Sequence, residues 1–196
     1  MSMETLSGPA HIPQADRATL LDLARETLAR YLDDRPLPDV PDRPALKERR
    51  AVFVTLRRRD NGDLRGCRGE TVARRPLGEA VALMAIAAAV DDPRFRSVTA
   101  EELPLLHVEI SALSAPKPIR PDEIVVGQHG LILRSGLRAG LLLPQVPTEH
   151  GWDRDAYLMA LCRKAGLPPR TWEMPSAELE GFTAEVWGED ERAERA

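Results

Sequence analysis

Aromatic side chains are scarce in this 196-residue chain: three Phe, two Tyr and three Trp make up 4 % of it. Proteins that grip single-stranded nucleic acid stack bases on such rings, so an RNA-binding module, the weakest alternative considered, is disfavoured. No apolar run reaches the eighteen residues that a membrane-spanning helix requires. The opening residues Met1-Ser2-Met3-Glu4-Thr5 show no basic segment followed by an apolar one, which predicts no export signal and a cytoplasmic protein. Cysteine is limited to Cys67 and Cys162, 95 positions apart, and without a secretion signal both are expected as reduced thiols. No C-x-x-C or H-E-x-x-H spacing occurs, so no metal set is predicted from among Cys67, His107, Glu109, His129 and Glu149. The long glycine loops that cradle nucleotide phosphates are also missing, and the sequence specifies no cofactor.

What is present suits one core with two lobes: 43 % hydrophobic and 30 % charged residues, ordinary for a globular chain of this length. The net charge is −4, yet seven arginines between Arg57 and Arg75 stand against only Asp60, Asp63 and Glu70. Such a segment either concentrates an anionic ligand or keeps a strand edge soluble.

The same segment contains Leu64-Arg65-Gly66-Cys67-Arg68-Gly69, between the β-type run Ala51 to Leu56 and the apolar run Glu79 to Val90. It reads as a tight turn from strand to helix, with Gly66 and Gly69 supplying positive φ and close approach. Arg65 and Arg68 put fixed positive charge beside the sulfur, which favours thiolate over thiol. The amino-terminal end of the next helix, Leu77 to Val90, is expected to point at this turn and add its partial positive charge. The two readings of Cys67 are a reactive or ligand-binding thiol and a turn residue packed as a small hydrophobe.

Elsewhere, residues 1–15 read as a flexible arm, and Asp16 as the N-cap of a helix from Arg17 to Leu32 with Leu20, Ala24, Thr27, Leu28 and Tyr31 on one face. Four prolines between Arg35 and Pro44 predict an extended surface connection. Asn61-Gly62 suits a primed hairpin turn. The alternation in Leu106 to Leu113 predicts a strand with Leu106, Val108 and Ile110 facing one way and His107, Glu109 and Ser111 the other. Two short strands, Ile124 to Val126 and Gly130 to Leu133, are expected around a Gly127–Gly130 turn, and a buried strand from Gly140 to Val146. Asp153 and Gly166 bracket a helix that buries Cys162, a run from Phe182 to Trp187 predicts one last strand, and residues 189–196 read as a charged disordered tail. Of the bases available to a cysteine, His107, His129 and His150, the glycine-flanked His129 is the best presented.

Taken in order, Leu64-Arg65-Gly66-Cys67-Arg68-Gly69, Asp92-Pro93-Arg94-Phe95, Val108 to Ser114, Gly127-Gln128-His129-Gly130-Leu131, Gly140 to Val146, Glu149 with Trp152, and Lys164-Ala165-Gly166-Leu167 resemble the successive motifs of the AMMECR family. Its bacterial and archaeal members are called AmmeMemoRadiSam system protein A. The resemblance spans about Asp16 to Gly188, although the family motif usually has an aliphatic residue where Arg68 stands. It implies an α+β fold, a curved and mostly antiparallel sheet with flanking helices in a two-lobed AMMECR-type domain over residues 16–188. It also implies association with Memo-like and radical-SAM proteins, and it supplies no reaction. The resulting expectation is a cleft that binds or modifies a small anionic or nucleotide-like substrate. In it Cys67 is nucleophile or ligand contact, His129 the base and Glu109 its orienting partner. Arg65 is the anion clamp, with Gly66, Arg68, Gly69, Arg94, Gln145 and Glu149 as further binding residues. The alternative is a non-catalytic adaptor for those partner proteins.

Overall fold

Alternation of aliphatic and polar residues builds the first sheet. In the computed structural model, which describes residues 11–189, the chain divides into two compact units, one holding residues up to Leu113 and from Glu185 onward, the other Ser114–Ala184. The first unit begins with α1 (Gln14–Leu32) and a one-turn helix α2 (Pro44–Lys47). It continues through β1 (Val52–Arg58), β2 (Leu64–Gly69), α3 (Leu77–Val90) and β3 (Leu106–Leu113), which form with β8 (Ala184–Gly188) an antiparallel sheet in the order β2-β1-β3-β8. Val52, Val54 and Leu56 of β1 and Val108, Ile110 and Ala112 of β3 are fully buried in one core with α1 and α3. The opposite face carries Phe53, Thr55 and Arg57 beside Ser111, Glu109 and His107.

The second unit contains β4 (Lys117–Pro118), β5 (Gly130–Ser135), β6 (Arg138–Leu142), α4 (Gln145–Glu149), α5 (Arg154–Ala165) and β7 (Ala177–Phe182), with sheet order β4-β7-β5-β6. Tyr157, Leu158, Leu161 and Cys162 of α5 close its core over Leu131 and Leu133. The Asp153 carboxylate accepts from the Ala156 amide at 2.8 Å and Gly166 ends the helix at φ +67°, as the sequence predicts.

By connectivity the two units repeat one plan. A central strand, an antiparallel hairpin partner at the sheet edge, a helix, and a strand on the other side of the centre appear as β1-β2-α3-β3 and again as β5-β6-α5-β7. In both, a glycine in the edge strand admits the end of the helix. A Cβ on Gly66 would lie 2.1 Å from the Ala88 carbonyl oxygen, and one on Gly140 2.6 Å from the Ala165 nitrogen.

Several local expectations are corrected. Helix α1 starts at Gln14 with Pro13 at the N-cap, and Asp16 sits inside the first turn, where its carboxylate meets Arg43 at 2.5 Å. Tyr31 is exposed rather than on the buried face. Only Gly62 of the Asn61-Gly62 pair has positive φ, so the five residues between β1 and β2 are not a primed turn. Ile124 to Val126 is not a strand, the predicted Gly140 to Val146 strand ends at Leu142 with α4 following, and the last run is two strands, β7 and β8, in different sheets. Glu189, placed in the tail by sequence, accepts from Arg25 at 2.5 Å and from the Val108 amide at 3.0 Å. The remaining tail residues and positions 1–10 of the arm lie outside the described residues.

Candidate functional site

The Cys67 segment is not a turn. It is the edge strand β2, and its glycines are there for volume: Gly66 makes room for the helix, and a Cβ on Gly69 would strike the Phe53 ring at 2.2 Å. Neither has positive φ. Because β2 runs against α3, the carboxyl-terminal end of that helix, at Ala88, is the one beside Gly66, opposite to the expectation. Strand alternation also puts Arg68 on the other side of β2 from the sulfur, where it is exposed.

Cys67 stands opposite Thr55, and Thr55 opposite Glu109, so the three form one row across β2, β1 and β3. Cys67 is half-buried, and the Thr55 hydroxyl donates to its sulfur at 3.4 Å. Sequence reading missed Thr55; its signal was the lone hydroxyl among Val54, Leu56 and their aliphatic neighbours.

The cations around this row come from unexpected directions. The Arg65 guanidinium is buried and holds Glu102 through Nε at 2.7 Å and Nη2 at 3.0 Å, while its Nη1 is buried with no partner among the described residues. Hydrogen bonding to Arg65 keeps the Glu102 carboxyl below its ordinary range. Asp92, just past α3, is the second missed residue. Its carboxylate accepts the outward amide of Cys67 at 2.9 Å and binds Arg94 through Nε at 2.9 Å and Nη2 at 2.6 Å. The Arg94 contact holds the Asp92 carboxyl far below the usual carboxylate range despite its burial. Arg94 in turn is held more firmly protonated, chiefly by its hydrogen bond to Asp92. Arg65 and Arg94 both lie over the Phe95 ring, at 5.9 and 5.4 Å from its centroid.

The AMMECR1 family model matches residues 21–187, nearly the whole chain. The chain belongs to the AMMECR1 family. It is 45 % identical over 184 residues to a protein of Thermococcus gammatolerans, covering 87 % of this chain and 89 % of that one. It is 41 % identical over 181 residues to Protein MK0488 of Methanopyrus kandleri, covering 88 % and 87 %. The crystal structure of uncharacterized protein PH0010 from Pyrococcus horikoshii has the same α+β fold, with a TM-score of 0.80 and 43 % identity over 87 % of this chain and 90 % of that one. None of these names states a reaction.

Within this AMMECR1 chain the other expected site residues belong to the second unit. His129 is half-buried, and its Nδ1 accepts from the Val125 amide at 3.1 Å, closing its own turn. Its carbonyl and that of Leu142 take the Tyr157 hydroxyl, each at 3.2 Å, and burial pushes that phenol above its ordinary range. Gln145 and Glu149 are the first and last residues of the short helix α4, the first half-buried and the second exposed. Among the described residues no three His, Cys, Asp or Glu side chains are grouped to hold a metal, and no helix is long and apolar enough to cross a membrane.

Proposed function

We propose that this AMMECR1 protein binds or modifies a small anionic substrate, nucleotide-like in class, at the polar face of its first sheet, with Cys67 as nucleophile or ligand contact. The observation that carries this reading is the row Cys67, Thr55, Glu109. A half-buried sulfur, a hydroxyl donating to it and a carboxylate stand in register on the sheet face turned away from the core. Arg65, with one buried nitrogen unclaimed, and Arg94, bound to the carboxylate that fixes the Cys67 backbone, supply the positive field for an anion. The protein acts in the cytoplasm, in a system with Memo-like and radical-SAM proteins.

Iodoacetamide tests the thiol. Alkylation of Cys67 at neutral pH should run about tenfold faster than that of a free cysteine, which holds only a few per cent thiolate at pH 7. Cys162, buried in the second core, should stay unmodified in the native protein. A Cys67 no faster than free cysteine removes the nucleophile. The adaptor reading predicts that Cys67→Ser keeps partner pull-down while Arg57→Glu with Arg59→Glu abolishes it.

A further inference from the structure

At the end of β1, Arg57, Arg58 and Arg59 line with Gly62 and His107 an open cleft of about 220 Å³. At about 30 Å³ per water this is room for roughly seven waters. Arg58 shares Glu102 with Arg65, at 3.7 Å, and Arg59 shares Glu189 with Arg25, at 2.6 Å. Arg57 is different. Its guanidinium donates to the Gly62 carbonyl at 3.2 Å and meets no carboxylate among the described residues.

The second unit shows what that position does when it serves the fold alone. Arg134, two residues beyond Ile132 as Arg57 is two beyond Thr55, pairs with Glu180 at 3.2 Å. Glu180 lies opposite Ile132 as Glu109 lies opposite Thr55. In the first unit the counterpart arginine, Arg57, makes no ion pair with the counterpart glutamate, Glu109, and lines a cleft with two more arginines and a histidine. Arg57 brings to this cleft a positive charge that no carboxylate of the described residues offsets, and an arriving anion gains that pairing.

We infer that this cleft seats the phosphate group of a small phosphomonoester, as the anchoring subsite of the Cys67 site, an inference that rests on the reading proposed above. Guanidinium forks match phosphate oxygens in geometry, and a dianion suits several guanidiniums better than a carboxylate does. Arg57 lies two residues along the sheet and one strand across from Cys67. At about 3.4 Å per residue and about 4.8 Å per strand, that is roughly 8 Å, the length of a phosphorylated sugar.

Calorimetry of the full chain with inorganic phosphate at low ionic strength should show one site. It should weaken about tenfold or more in Arg57→Gln, recover in part in Arg57→Lys and stay unchanged in Arg134→Gln. No binding, or equal loss in Arg57→Gln and Arg134→Gln, overturns the inference. So does a single-stranded oligonucleotide without terminal phosphate that displaces phosphate, which would make the cleft a phosphodiester site. Lost phosphate binding beside a reactive Cys67 sinks the cleft alone. Intact phosphate binding beside an inert Cys67 sinks the thiol reading and with it the cleft's role as a subsite.

Discussion

The row Cys67, Thr55, Glu109 of the first unit has a counterpart in the second: Leu141, Ile132, Glu180. Both rows sit one step from a glycine that admits a helix end, Gly66 and Gly140. In the second unit two of the three positions are aliphatic, and the glutamate is neutralised by Arg134. The sheet therefore folds well with a closed, mostly apolar row. In the first unit the same positions carry a thiol, a hydroxyl and a carboxylate that no arginine of the described residues neutralises. Since the plan does not require polar atoms there, their presence points to chemistry rather than to folding.

The largest expected effect tests whether the two units do repeat one plan. Gly66→Ala places a methyl 2.1 Å from a backbone oxygen and should destabilise the protein by about 3 kcal/mol in chemical denaturation. Gly140→Ala should cost a similar amount in its own unit, whereas Gly62→Ala, open on all sides with φ +74°, should cost only about 1 kcal/mol. Equal, small effects at all three would break the comparison.

Next comes Asp92, two residues past α3, where the second unit has Leu167 two residues past α5. Asp92→Asn removes a charged acceptor from Arg94 and the Cys67 amide and should cost about 2 kcal/mol at neutral pH. The folded carboxyl titrates below the unfolded value of ~3.9, so its stabilisation is fully present above that value and fades as pH falls through the folded one. The gap between wild type and variant should therefore stay constant from pH 7 to about 4 and shrink only in stronger acid. A gap that closes already at pH 6 would show that Asp92 is not the group responsible.

The smallest effect is the sharpest test of the row. Cys67→Leu with Thr55→Ile imports the second unit's residues and should change stability by less than about 1 kcal/mol, because a half-buried strand face accepts aliphatic side chains. A loss of several kcal/mol would make the polar row structural.

Much of this was legible in the residues. The strict alternation of Leu106 to Leu113 gave β3 its bounds and put His107, Glu109 and Ser111 together, and the Asp153 and Gly166 caps bounded α5. The Cys67 segment misled because glycine has two uses, positive φ and the absence of a Cβ, and only the neighbour Ala88 tells which applies. Asp92 read as a helix stop before Pro93, since nothing local indicates that its carboxylate reaches an amide 25 positions earlier. The short helices α2 and α4 hide among prolines, and β7 and β8 read as one strand because the single residue between them, Thr183, carries no turn signal.

The last strand also sets an order of events during synthesis. Glu185, which accepts from Arg50 at 2.9 Å and Arg17 at 2.5 Å, and the buried Trp187 complete a sheet whose other strands were translated before the second unit began. A nascent chain ending near Leu113 exposes the outer edge of β3 and leaves two arginines without their carboxylate until some seventy more residues have emerged. The first unit to leave the ribosome is thus the last to be finished, and chains truncated inside the second unit should fail in the first.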